Sequence, residues 1–202
     1  GLRYMQDVMR NQFYKQRSDF ELSAIERDKT QVMPEGVSVQ TDIPYMNDGD
    51  KAHRMDVYRP EGSEDTTLPV VINIHGGGLL IGSKEFNRFF CAKLSRLGYL
   101  VFSIDYRLVP DCMVFDQFSD VCNAFKYINA HLGEYNGDSG HIYGVADSGG
   151  AYLLTYTAAM AKNRELAKAA HVKPQKFSFR AIGLISGMFY TCLLYTSPSP
   201  RD

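Results

Sequence analysis

The spacing of hydrophobic positions changes twice along this chain. In residues 1–30, Met5, Val8, Met9, Phe13, Leu22 and Ile25 recur at helical intervals with charges between them, which predicts a helix. Met33-Pro34-Glu35-Gly36 ends it. Val37, Val39 and Thr41 then alternate with polar residues, Asn47-Asp48-Gly49-Asp50 supplies turn chemistry, and residues 53–58 alternate again with Met55 and Val57 on one face. This predicts a β-hairpin. From Val70 the texture differs. Val70-Val71-Ile72-Asn73-Ile74 and Leu100-Val101-Phe102-Ser103-Ile104 are short and almost unbroken apolar runs, and His141-Ile142-Tyr143-Gly144-Val145 and Ala181-Ile182-Gly183-Leu184-Ile185 are weaker versions. Strands covered on both faces of a parallel sheet read this way. Helical patterns lie between them. One takes Ser83 as its N-cap, turns Phe86, Phe89, Phe90, Leu94 and Leu97 inward and stops at Gly98. A second runs from about residue 115 to 131 with Phe118, Val121, Phe125 and Ile128 on one stripe, and a third follows Ser148 through Leu153, Leu154 and Ala158. Strands alternating with helices predict an α/β fold with a mainly parallel sheet.

Composition narrows the class without changing that picture. A chain of 202 residues, 45% hydrophobic and 22% charged, is that of one ordinary globular domain and excludes wholesale disorder. A net charge of -1 offers no basic footprint for nucleic acid. No apolar run approaches the roughly 20 residues of a membrane span. No secretory leader stands at the N-terminus, so the expected location is the cytoplasm. The cysteines, Cys91, Cys112, Cys122 and Cys192, form no C-x-x-C pair, and no two histidines bracket a glutamate at helical spacing. Neither a zinc site nor a disulfide framework is expected, and buried thiols in a reducing compartment fit.

Both ends carry a message of their own. The chain begins at Gly1, and residues 192–202 hold Pro198 and Pro200 and no periodicity. Codons that encode this tail resemble a transposase mosaic end followed by a sequencing-library adapter. Native sequence is therefore expected to end near Thr191, with a non-native tail over 192–202.

Function in open α/β sheets gathers at the carboxyl ends of strands, and three such ends carry unusual residues. His75-Gly76-Gly77-Gly78 follows the first buried run. Successive glycines let a ligand approach backbone N–H groups closely, and such groups aimed at one spot stabilise a developing oxyanion. His75 itself reads as a structural residue bonding the loop. Ala146-Asp147-Ser148-Gly149-Gly150 lies between a strand and a helix, with small residues two before and two after the serine. That is the pattern of a nucleophile elbow, with Ala146 in place of its first glycine. Asp105-Tyr106-Arg107-Leu108-Val109-Pro110 ends another strand, and Asp105 and Arg107 read as loop-pinning residues.

In order and spacing these three stretches resemble the hormone-sensitive-lipase-like group of α/β-hydrolases, from about Asp56 to Gly187. The resemblance implies hydrolysis of carboxylic esters, usually short-chain, through an acyl-enzyme and without a cofactor. It implies Ser148 as nucleophile and the N–H groups of Gly77, Gly78 and Gly149 as oxyanion hole, with His75, Gly76, Asp105, Arg107, Asp147 and Gly150 in support. It divides the chain into a helical cap segment (1–35) and an α/β-hydrolase core (36–191) truncated after about its sixth strand. Leu79 stands where relatives often carry an aromatic residue. In this fold the triad runs Ser, then Asp or Glu, then His, with acid and base far downstream. The sole histidine after Ser148 is His171, in a loop where the family does not put its base. The triad acid and base are thus expected outside this chain, the chain alone inactive, and its sheet edge unpaired. Two alternatives stay open: a non-catalytic small-ligand-binding protein on the same fold, and a peptidase or amidase using the same parts. The expected partner is a small-molecule ester, with no nucleic acid; oligomeric state is not legible.

Overall fold

A computed structural model describes residues 2–77, 81–147, 149–151, 153, 154, 157, 164–169 and 181–185. The chain opens with a long helix, α1 (Leu2–Asp28), followed by strands β1 (Val37–Pro44), β2 (Arg54–Pro60) and β3 (Leu68–Ile74). A 3₁₀ turn over Lys84–Asn87 leads into α2 (Arg88–Arg96), then β4 (Leu100–Ile104), α3 (Val114–His131) and β5 (Gly137–Asp147). Residues 149–151, 153, 154 and 157 are helical, and a short helix over Arg164–Ala169 precedes β6 (Ala181–Ile185). The tail at 192–202, His171 and Ala158 lie outside the described residues.

The strands form one sheet in the order β1-β2-β4-β3-β5-β6. β1 and β2 are the antiparallel hairpin that the alternation predicts, and β2 also runs antiparallel to β4. β4, β3, β5 and β6 are parallel neighbours. The pleat sends successive residues to opposite faces. Val70, Ile72 and Ile74 pack with Phe118, Val121, Phe125 and Ile128 of α3 and with Leu153 and Leu154, while Val71 and Val101 pack with Cys91 and Ala92 of α2. Each buried Val, Leu, Ile or Phe among them contributes about 1.5–3 kcal/mol over its exposed state. Asn73 is the polar exception within the run, and its Nδ2 donates to Ser103 Oγ at 3.2 Å. The register aligns the strand ends: Ile74 lies opposite Ile104 on one side and Ala146 on the other. The carboxyl ends of three strands are therefore level, and His75, Asp105 and Asp147 leave the sheet side by side.

Two helices differ from the pattern read along the chain. Ser83 precedes a 3₁₀ turn, with no capping bond from its side chain, and the α-helix starts only at Arg88. Its buried side is Phe89, Cys91, Ala92 and Ser95, so Phe90 and Leu97, seven positions apart on the other side, are 36% and 77% exposed instead of buried. In α1 the apolar residues Met5, Val8, Met9, Leu22 and Ile25 are exposed. The half-buried stripe is instead Phe13, Arg17, Phe20, Ala24 and Arg27. Phe20 meets the Phe86 ring at 5.0 Å and Arg27 lies over its face at 4.3 Å. Arg17 pairs with Asp111 at 2.9 Å and donates to Val109 O at 3.1 Å. Among the described residues no helix is long and apolar enough to cross a membrane.

Candidate active site

The loop after β3 turns back on itself at once. Ile81 N–H donates to Gly77 O at 3.1 Å, and Gly77 takes φ +124°, where a Cβ would lie 2.0 Å from Ile81 O. His75 at the loop entry is fully buried. Its Nδ1 lies 2.8 Å from Gly76 O, an acceptor only, so Nδ1 carries the proton and Nε2 the lone pair. Burial lowers its pKa and keeps the ring neutral. The ring stacks on Tyr106 at 4.4 Å between centroids, and Tyr106 Oη–H donates to His75 O at 2.7 Å.

The stretch after β4 ties this loop to the rest of the molecule. Asp105 Oδ1 accepts Lys84 N–H at 2.6 Å, and burial pushes its carboxyl pKa up to about 7. The Arg107 guanidinium grips the fully buried Asp120 of α3, with Nε 3.0 Å from Oδ2 and Nη2 2.8 Å from Oδ1. His53 Nε2 bonds the same carboxylate at 2.9 Å, and Gln117 Nε2 donates to Arg107 O at 2.9 Å.

The strand-to-helix turn after β5 meets the glycine loop directly. Asp147 Oδ1 accepts Gly76 N–H at 3.0 Å and Asn87 Nδ2–H at 3.1 Å. Gly150, in the first turn of the following helix, lies against the end of β3, where a Cβ would come within 2.3 Å of Ile74 O and 2.5 Å of His75 O. Only glycine permits that approach. Ala146 is buried in the sheet, so its methyl group, in place of the elbow's usual glycine, is accommodated.

Of the residues singled out in the sequence, the structure thus gathers His75, Gly76, Gly77, Asp105, Arg107, Asp147, Gly149 and Gly150 at one end of the sheet. Ser148, Gly78 and Leu79 lie outside the described residues. Sequence pattern alone passes over Lys84, Asn87, His53 and Asp120. Only Asp120 leaves a signal, as an acid between the apolar helix positions Phe118 and Val121. The arrangement can present backbone N–H groups at a helix start to a developing negative charge, beside a neutral, buried imidazole. Among the described residues no cluster of three or more His, Cys, Asp or Glu is fit to hold a metal.

Residues 55–189 match the BD-FAE family. A probable isoprenylcysteine alpha-carbonyl methylesterase of Arabidopsis thaliana is 32% identical over 105 residues, which are 52% of this chain and 22% of that protein. A probable carboxylic ester hydrolase of Mycobacterium tuberculosis is 31% identical over 123 residues, 56% of this chain and 28% of that one. The crystal structure of esterase B from Lactobacillus rhamnosis superposes with a TM-score of 0.86 at 26% identity, covering 90% of this chain and 58% of that one. The chain thus spans less than two thirds of the length of each, and under a third of the two enzymes matched by sequence.

Proposed function

Because the chain belongs to the BD-FAE family and has the α/β-hydrolase fold, we propose that the whole protein hydrolyses carboxylic esters, typically short-chain, through an acyl-enzyme on Ser148. The observation that carries this reading is the junction of the glycine loop with the turn around residue 148. Asp147 holds Gly76 N–H at 3.0 Å, and Gly150 lets the helix start abut the end of β3. Backbone N–H groups fixed before the reaction need no rearrangement to receive charge, and the proposed mechanism uses them in that way. Ser148 Oγ attacks the ester carbonyl carbon and gives its proton to a histidine base. The N–H groups of Gly77, Gly78 and Gly149 stabilise the oxyanion, and the alcohol leaves with the proton. Water then repeats the sequence on the acyl-enzyme. The base and its orienting acid come, in this proposal, from the part of the whole protein beyond this chain, following the order Ser, acid, His.

Residues 1–35 act as a cap segment, an assignment supported by the contacts of α1 with Phe86 and with Val109 and Asp111. The free thiols of Cys91, Cys112 and Cys122 suit the cytoplasm. The test is hydrolysis of p-nitrophenyl butyrate by the whole protein and by its Ser148→Ala variant. The variant should lose about 10⁶-fold in kcat, the scale of removing a triad nucleophile. A variant as fast as wild type overturns the proposal.

A further inference from the structure

One buried charge has no part in the chemistry of ester hydrolysis itself. Lys84 is 2% exposed, yet its Nζ lies 2.9 Å from Asp42 Oδ1 and 3.0 Å from Asp56 Oδ1, and it also pairs with Glu85. Burial by itself would lower the ammonium's pKa, but the hydrogen bonds to Glu85, Asp42 and Asp56 outweigh it and hold the group charged. The same residue is fixed through its backbone. Its N–H donates to Asp105 Oδ1 at 2.6 Å, and its carbonyl accepts Ser103 Oγ–H at 3.3 Å.

The hairpin is deformed to reach this point. β1 slips register between Gln40 and Ile43, and Asp42 takes φ +58°, the left-handed region that a non-glycine residue enters at a cost. That bulge turns Asp42 N–H onto Asp56 Oδ1 at 2.9 Å and sets both carboxylates on one ammonium. An apolar side chain of similar volume often stabilises a fold as well as a buried ion pair does, so stability alone does not account for the device. Its position does. Lys84 follows Gly82 by two residues, and a Cβ on Gly82 would lie 2.6 Å from Gly76 O and 2.9 Å from His75 Nδ1. The exit of the glycine loop therefore rests on its entry, which couples the backbone around residue 84 to Gly76.

We infer that Lys84 is a positioning residue for the ester-hydrolysing site: clamped by Asp42, Asp56 and Glu85, it holds the exit of the glycine loop so that the loop's N–H groups stay aligned with the serine turn. The inference rests on the esterase reading. Lys84 touches no reacting atom and acts through Asp105 and the contact of Gly82 with Gly76.

The experiment uses the whole protein with Lys84→Met, Lys84→Arg and Asp42→Gly. Active sites are counted by fluorophosphonate titration, kcat and KM for p-nitrophenyl acetate are expressed per titrated site, and each variant is melted. Lys84→Met should lower kcat per site about tenfold or more with KM changed less than about twofold, and Lys84→Arg should recover most of it. Asp42→Gly keeps the backbone conformation, since glycine accepts φ +58°, and removes one partner of the ammonium. It should melt no lower than wild type and yet lose about two- to fivefold in kcat per site. Wild-type kcat per site in a folded Asp42→Gly protein overturns the inference. A wild-type protein that neither titrates nor hydrolyses the ester fails at the earlier step and overturns the esterase reading itself.

Discussion

β3 and α1 are both built from apolar residues at regular spacing, and they behave oppositely. In β3, Val70, Val71, Ile72 and Ile74 are all buried, because helices cover both faces of the strand. In α1, Met5, Val8, Met9, Leu22 and Ile25 are exposed, and the helix is held by a few long side chains: Tyr14 and Arg17 to Asp111, Phe20 and Arg27 against Phe86. The contrast separates periodicity from burial. A period predicts which element forms; only the partners present decide which of its faces is covered. The site is built where burial is complete, at the level ends of β3, β4 and β5, while α1 leans on the loops around it.

The sharpest way to break that comparison is to add one carbon where the sheet end is tightest. Gly150→Ala places a Cβ within 2.3 Å of Ile74 O and 2.5 Å of His75 O, neither of which is a flexible side-chain end. A loss of about 4 kcal/mol or more is expected in denaturant unfolding of the whole protein. A variant within about 1 kcal/mol of wild type would mean that the helix start does not press on β3.

A smaller effect separates the two regions by pH. Burial raises the Asp105 carboxyl pKa to about 7, so the folded state keeps a proton that the unfolded chain has already released near pH 4. The folded state binds more protons in that window, so this group makes stability fall as pH rises from about 4 to about 7, by something on the order of 3 kcal/mol. Asp105→Asn removes that proton and should flatten the decline in unfolding free energy between pH 4.5 and 7.5. An unchanged slope in the variant would show that Asp105 is not the group responsible.

The smallest effect belongs to α1. Met9 is 56% exposed, so Met9→Ser should leave stability within about 0.5 kcal/mol. A loss of 2 kcal/mol or more in the whole protein would show that this face of α1 is covered there.

Legibility in the sequence divides along the same line. The apolar runs at Val70 and Leu100, the hairpin and the helix at 114–131 can be read because local pattern and burial agree there. His75-Gly76-Gly77 and Asp147 to Gly150 can be read because their chemistry is contiguous. The packing face of α1 cannot, since it uses Arg17 and Arg27, whose long stems and charged heads no apolar period detects. Phe90 and Leu97 mislead because helix α2 is short and only one of its stripes meets the sheet. The links of Lys84 to Asp42 and of Arg107 to Asp120 depend on a bulge in β1 and on the seating of α3, both set by tertiary structure. Polar partners across a fold leave no spacing to read.

On the proposed esterase reading, the glycine loop and the turn around residue 148 together make Ser148 a nucleophile. The most direct test is to treat the whole protein with a fluorophosphonate and locate the adduct by peptide mass mapping. A single adduct on the tryptic peptide that carries Ser148, absent from Ser148→Ala, is the predicted result. No adduct, or an adduct that persists in Ser148→Ala, would contradict it.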